Sequence, residues 1–92
     1  MEKQLKYKEV YITMENKYIP LTQIPINQTG RVYEINAGRS LEKKLSAQGI
    51  YKGVEIRKLS GDWGPTLISV KQTKLGIGRG MANKIIMEYK NE

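Results

Sequence analysis

Hydrophobic and polar residues alternate in short runs along most of this chain, and clusters of glycine, proline and polar residues separate the runs. In Val54-Glu55-Ile56-Arg57-Lys58-Leu59 the period of two turns Val54 and Ile56 inward and Glu55 and Arg57 outward, as in a half-buried strand. Lys52-Gly53 supplies the turn before it, and Gly61-Asp62-Trp63-Gly64-Pro65 breaks the chain after it. Thr66 to Lys71 forms the next strand, a turn near Gln72-Thr73 follows, and Lys74-Leu75-Gly76-Ile77-Gly78 returns antiparallel. Upstream, Arg31-Val32-Tyr33-Glu34-Ile35 is extended, but Val32 and Ile35 break strict alternation, which predicts a bulge near Glu34. Pro20 and Pro25 bracket a loop that lays Leu21 and Ile24 on the core, and Ile85 to Tyr89 makes the last strand.

One segment has helical spacing. Leu41 and Leu45 form a single apolar stripe, Ser40 stands where an N-cap hydroxyl is expected, and Glu42 suits the positive end of the helix dipole. Gly49 marks the far end, because a left-handed residue there costs glycine nothing, and Ile50 then falls where it packs back on Leu45. The pattern predicts a short α-helix over about 41–48 and a helical turn near 80–83. The order of elements and their short connections describe a mainly β domain of about five strands, a small barrel whose closure removes most exposed edges.

Residues 1–19 read as an N-terminal extension to a domain spanning 20–92, because charged residues crowd the segment. Val10, Ile12 and Met14 alternate with Tyr11 and Thr13, which fits an added strand, and a disordered arm is the other reading. As a strand, the segment offers an edge for self-association.

Ninety-two residues make one domain, with room for a single core of Ile, Leu and Val. No run approaches a membrane span and no apolar stretch follows the basic N-terminus, so the chain is expected in the cytoplasm. The net charge of +7 admits a nucleic acid or another acidic partner. Twelve of the sixteen basic residues are lysines scattered singly or in pairs, and spaced lysines also keep small sheets soluble.

With neither His nor Cys, nucleophilic catalysis is left with Ser/Thr–Lys or carboxylate arrangements, and none is marked. The nine carboxylates are dispersed, so acid/base catalysis has no paired site and an enzyme is not expected. Iron and zinc sites lean on imidazole and thiolate, which this chain lacks, so no cofactor or dedicated metal site is predicted. Leu75-Gly76-Ile77-Gly78-Arg79-Gly80 has Met81 where a dinucleotide loop needs glycine; Gly76 and Gly78 instead read as strand positions that let another segment approach closely.

The stretch from Leu21 to Met87 resembles the FeoA family. Gly30-Arg31-Val32 resembles its opening glycine and strand. Leu45 through Gly49-Ile50 and Gly53 resembles its helix-end pattern, and Gly64-Pro65 resembles the pair before its third strand, with Ile68 and Val70 inward. Leu75-Gly76-Ile77-Gly78-Arg79, then Ala82, Ile85 and Met87, resembles its closing segment. Gln48 departs from the Leu or Met usual there, and Gly80 and Asn83 replace helix-favouring residues.

The resemblance implies an SH3-like barrel, similar also to the C-terminal domain of metal-dependent repressors. It implies a non-enzymatic accessory role in bacterial ferrous iron uptake, exerted by binding the cytosolic, GTP-binding part of the FeoB transporter at the inner face of the membrane. Weak binding of ferrous or another divalent metal is implied at family level only. The partner surface is expected in a groove between the helix-end turn, Gln48, Gly49, Ile50, Tyr51 and Gly53, and the loop Asp62, Trp63, Gly64 and Pro65, because loops on a rigid barrel are where partners are met. The alternative is a basic barrel that binds nucleic acid, with Trp63, Tyr33 and Tyr51 as a stacking platform.

Overall fold

Alternation along the chain becomes one antiparallel sheet in the computed structural model, which describes residues 5–7, 10–12, 16–61 and 63–90, the first two segments by their backbone. Its strands are β1 (Leu5–Tyr7), β2 (Val10–Ile12), β3 (Asn16–Pro20), β4 (Thr29–Ile35), β5 (Glu55–Ser60), β6 (Thr66–Val70), β7 (Thr73–Ile77) and β8 (Ile85–Lys90). In space they run β1-β2-β3-β8-β4-β5-β6-β7. A helix α1 (Arg39–Ala47), a one-turn helix α2 (Arg79–Ala82) and a 3₁₀ turn (Leu21–Gln23) complete the fold.

The architecture is the expected SH3-like one with two corrections. Six strands lie from Asn16 onward rather than about five, with β1 and β2 added before them. The sheet is also open: among the described residues β7 pairs with β6 alone and β1 with β2 alone. Pro20 and Pro25 bracket the 3₁₀ turn as expected, with Leu21 and Ile24 buried. The predicted bulge is present too: pairing of β4 with β8 shifts register between Val32 and Glu34. The residues Thr13 and Met14 of the expected N-terminal strand lie outside the described residues.

The inward faces meet in one core that includes Leu21, Ile24, Leu45, Ile50, Ile56, Ile68, Ile85 and Met87. Helix α1 buries Leu45 fully in this core, and the half-buried Leu41 packs against it from the same face. Full burial of one such side chain contributes about 1.5–3 kcal/mol relative to exposure. The start of α1 corrects the expected cap. Glu42 N–H donates to the Gly38 carbonyl at 3.0 Å and Gly38 is extended, so Gly38 is the N-cap and Ser40 lies inside the first turn. At the other end the Ile50 N–H reaches the Leu45 carbonyl at 2.9 Å and the Gly49 N–H reaches that of Ser46 at 3.0 Å, with Gly49 at φ +91°. This is the Schellman geometry that the glycine predicted.

Two further expectations shift. The β6–β7 turn is Lys71-Gln72, one residue earlier than expected, with both residues at positive φ (+49° and +70°) as a type I′ hairpin requires. Nothing lies within 4 Å of where a side chain on Gly76 or Gly78 would begin, so these glycines admit no close neighbour. The close approach is at Gly30, where a Cβ would sit 3.2 Å from the Glu88 carbonyl oxygen and 3.3 Å from both Ile24 and Met87.

Candidate functional site

The β5–β6 hairpin separates the two segments expected to flank one groove. Val54 and Arg57 lie toward the start of β5 and Ser69 and Val70 toward the end of β6, whereas the 61–65 loop joins the opposite ends of both strands. At about 3.3 Å per residue the six residues of β5 keep the two segments roughly 20 Å apart. The expected joint groove is therefore absent, because the connection that carries Trp63 turns at the far end of the hairpin.

At the helix end, Gln48 is exposed, Gly49 forms the cap and Ile50 is fully buried. Ile50 thus belongs to the core and presents nothing to a partner. Tyr51, Lys52 and Gly53 are exposed and border a concavity of about 600 Å³ on the outer face of β4, β5 and β6. The strand period places Thr29 and Arg31 of β4, Glu55 and Arg57 of β5 and Ser69 of β6 on this side. The Arg31 guanidinium donates to the Gly53 carbonyl at 2.9 Å and to a Glu55 carboxylate oxygen at 3.0 Å. This exposed pair orients both side chains and is worth at most about 1 kcal/mol to stability. The Lys71 ammonium donates to the Tyr51 hydroxyl and lies 4.8 Å from the centre of that ring.

A second, smaller hollow of about 330 Å³ lies on the other side of the Tyr51-Lys52 turn. Arg39, Glu42, Lys43 and Ser46 of α1 form its helical wall, with Ile35 of β4.

At the opposite end of the hairpin, Trp63 is 93% exposed, Gly64 has φ +84° and Pro65 is exposed, while Asp62 lies outside the described residues. The aromatics do not converge. Tyr33 packs on Tyr18 at 4.6 Å between ring centres, well away in the sheet from Trp63. Burial, and then the nearby Glu88 carboxylate, raise the Tyr18 phenol above its ordinary 10.0. Glu88 accepts hydrogen bonds from Tyr18 at 3.3 Å and from the Asn16 amide at 2.9 Å.

One inward position breaks the hydrophobic pattern. Lys58 is 4% exposed, and its ammonium donates to the Thr22 carbonyl at 2.7 Å, tying the 3₁₀ turn to β5. Alternation from Val54 through Ile56 points Lys58 inward, so the sequence held the signal, but a lysine reads as surface unless a carbonyl waits for it. Among the described residues no three of His, Cys, Asp and Glu gather as a metal site, and no helix is long and apolar enough to cross a membrane.

An open SH3-like sheet with a short helix, an exposed basic concavity and loops at both ends of a hairpin defines a small, mainly β domain of the SH3-like class. The FeoA domain model matches residues 19–89, and the chain belongs to that family. It is 37% identical over 57 residues, 62% of this chain and 70% of the other, to a protein of Methanocaldococcus jannaschii named "Putative Fe(2+) transport protein A". It is similar at TM-score 0.72 and 30% identity to a crystal structure described as iron uptake regulatory protein (FeoA), over 80% of this chain and 97% of that one. The fold also matches a FeoA-like protein of Clostridium acetobutylicum at TM-score 0.71 and 22% identity, over 82% of this chain and 90% of that one.

Proposed function

We propose that this chain is a non-enzymatic accessory protein of ferrous iron uptake that acts by binding the cytosolic part of a FeoB-type transporter. The observation that carries this reading is the FeoA match over residues 19–89, which includes every element from β4 to β7 and most of β8. The lack of His and Cys across the whole sequence favours a binding role over an imidazole- or thiolate-based reaction or metal site. Two separate patches serve as contacts in this reading, the Gln48–Gly53 turn and the Trp63–Pro65 loop. A small, rigid sheet presents both without rearrangement.

Calorimetric titration of the purified chain with the soluble GTP-binding domain of the transporter tests the proposal. Saturable binding in the micromolar range is expected, in at least one nucleotide state. Absence of heat and of co-elution at high micromolar concentration, with and without nucleotide, counts against contact with that domain.

A further inference from the structure

We propose that the concavity on the outer face of β4, β5 and β6 is a docking site for a carboxylate-rich segment of a protein partner. The inference rests on the reading of the chain as a partner-binding accessory and says where, and by what chemistry, a partner is held.

Charge is the first observation. Arg31, Lys52, Arg57 and Lys71 border the concavity, against the single carboxylate of Glu55. Only four arginines occur in the chain, and two of them are here. The adjoining hollow shares Lys52 and adds Arg39 and Lys43 against Glu42. Positive charge therefore continues across the Tyr51-Lys52 turn from the sheet onto α1. Lysines and arginines dispersed in sequence become a single basic surface because β4, β5 and the β6–β7 turn lie side by side.

The second observation is how the cations are held. Arg31 is occupied within the molecule by Gly53 and Glu55, and Lys71 by Tyr51, so these two form a positioned floor. Arg57 and Lys52 are exposed and have no hydrogen-bonding or ionic partner among the described residues. Their donors are the ones an incoming anion meets. A guanidinium matches a carboxylate through paired N–H donors, and the Arg31–Glu55 contact shows a carboxylate accepted on this same face.

The third observation separates a peptide from a nucleic acid. Single strands are held by bases stacked on open aromatic faces above a basic groove. Here the aromatic rings are dispersed: the Tyr51 hydroxyl takes the Lys71 ammonium, Tyr33 packs against Tyr18, and Trp63 stands at the other end of the hairpin. The cations gather on this face and the three aromatics do not converge with them. Carboxylates of an extended acidic peptide, spread over both hollows, satisfy that arrangement; bases do not.

The test uses the full chain, a polyglutamate peptide, and an oligothymidylate strand of equal charge as competitor, with affinity measured at low and at raised salt. Wild type is expected to bind the peptide at low salt and to lose affinity steeply as salt screens the contact. The double substitution K52E/R57E is expected to weaken peptide binding at least tenfold, while K84E/K90E, which changes net charge equally on exposed residues outside both hollows, retains most of it. No peptide binding at low salt, equal losses in the two double variants, or tighter binding of the oligothymidylate than of the peptide each overturns the proposal. Circular dichroism of K52E/R57E checks that the fold is kept; if it is not, the single variants R57Q and K52Q take its place, with a smaller loss expected and an unchanged affinity overturning the idea. A parallel titration with the transporter's cytosolic domain separates this site from the broader reading. Transporter binding unaffected by K52E/R57E removes the proposed location and leaves the accessory role, whereas peptide binding without transporter binding removes the accessory role and leaves the acidic-peptide site.

Discussion

The two ends of the β5–β6 hairpin use the same ingredients, a pair of glycines at positive φ around an exposed aromatic residue, yet they are different surfaces. Gly49 and Gly53, at +91° and +92°, flank Tyr51, which is 41% exposed and held by Lys71 at its hydroxyl. Gly61 and Gly64, at +148° and +84°, flank Trp63, which is 93% exposed. One end is charged and anchored to a helix cap. The other presents an apolar ring to water. A partner that meets the first is recognised by salt-sensitive electrostatics, and one that meets the second by burial of apolar area, which salt hardly weakens.

The comparison breaks most sharply at the glycines. A Cβ on Gly61 would lie 3.1 Å from the Thr66 Cα, a backbone atom that has to give by a few tenths of an ångström, and its φ is one that side chains avoid. Gly61→Ala is therefore expected to cost about 3 kcal/mol, read from the shift of the urea midpoint. Gly64 faces open space, so Gly64→Ala carries only the cost of its φ, about 1 kcal/mol. Equal losses in the two variants would show that space near Thr66 is not what requires Gly61.

Between the two ends, Lys58 holds the hairpin to the 3₁₀ turn. Lys58→Met keeps the aliphatic stem in the core but leaves the Thr22 carbonyl without its charged donor. A loss of about 1.5–2 kcal/mol is expected, because a hydrogen bond from a charged group is worth more than a neutral one. An unchanged midpoint would mean that the cost of burying the ammonium offsets the bond it makes.

The same residue shows what the sequence can and cannot display. Period-two patterning located β4 to β8 and the bulge near Glu34, and helical spacing with Gly49 located the cap of α1, because each is set by local sterics or by one buried face. The site was less legible. Gln48 to Gly53 and Trp63 to Pro65 are both turns, and although the strand between them is legible from its alternation, the expected joint groove ignored that its six residues hold the two turns at opposite ends of the hairpin. Arg31, Arg57 and Lys71 are far apart along the chain and gather only through pairing of β4 with β5 and of β5 with β6. Ser40 misled for the opposite reason. Its side chain suits a cap, but the backbone had already turned helical at Arg39.

A smaller effect is expected next to Gly61. Thr66 is fully buried with no hydrogen-bond partner for its hydroxyl among the described residues, and a Cβ on Gly61 would approach that oxygen to 3.2 Å. Thr66→Val keeps the β-branched shape that β6 needs and removes a polar atom that lost its water on folding. The variant is expected to be more stable by about 1 kcal/mol in the same denaturation assay. A loss of stability would show that a bound water or a shift of the loop satisfies the hydroxyl in solution.

The smallest change in stability is expected at Trp63, and it carries the functional half of the comparison. A ring this exposed contributes little to the fold, so Trp63→Ala should leave stability within about 0.5 kcal/mol. If the Trp63 loop is a partner contact as proposed, the same variant should weaken binding of the transporter's cytosolic domain by a factor that stays constant as salt rises, since the contact is apolar. The K52E/R57E loss should instead shrink with salt, because screening removes from wild type the attraction that the variant lacks. Parallel salt dependences for the two variants would mean that the hairpin ends act through one kind of contact. A Trp63→Ala affinity equal to wild type at every salt concentration would leave the basic end as the surface that binds.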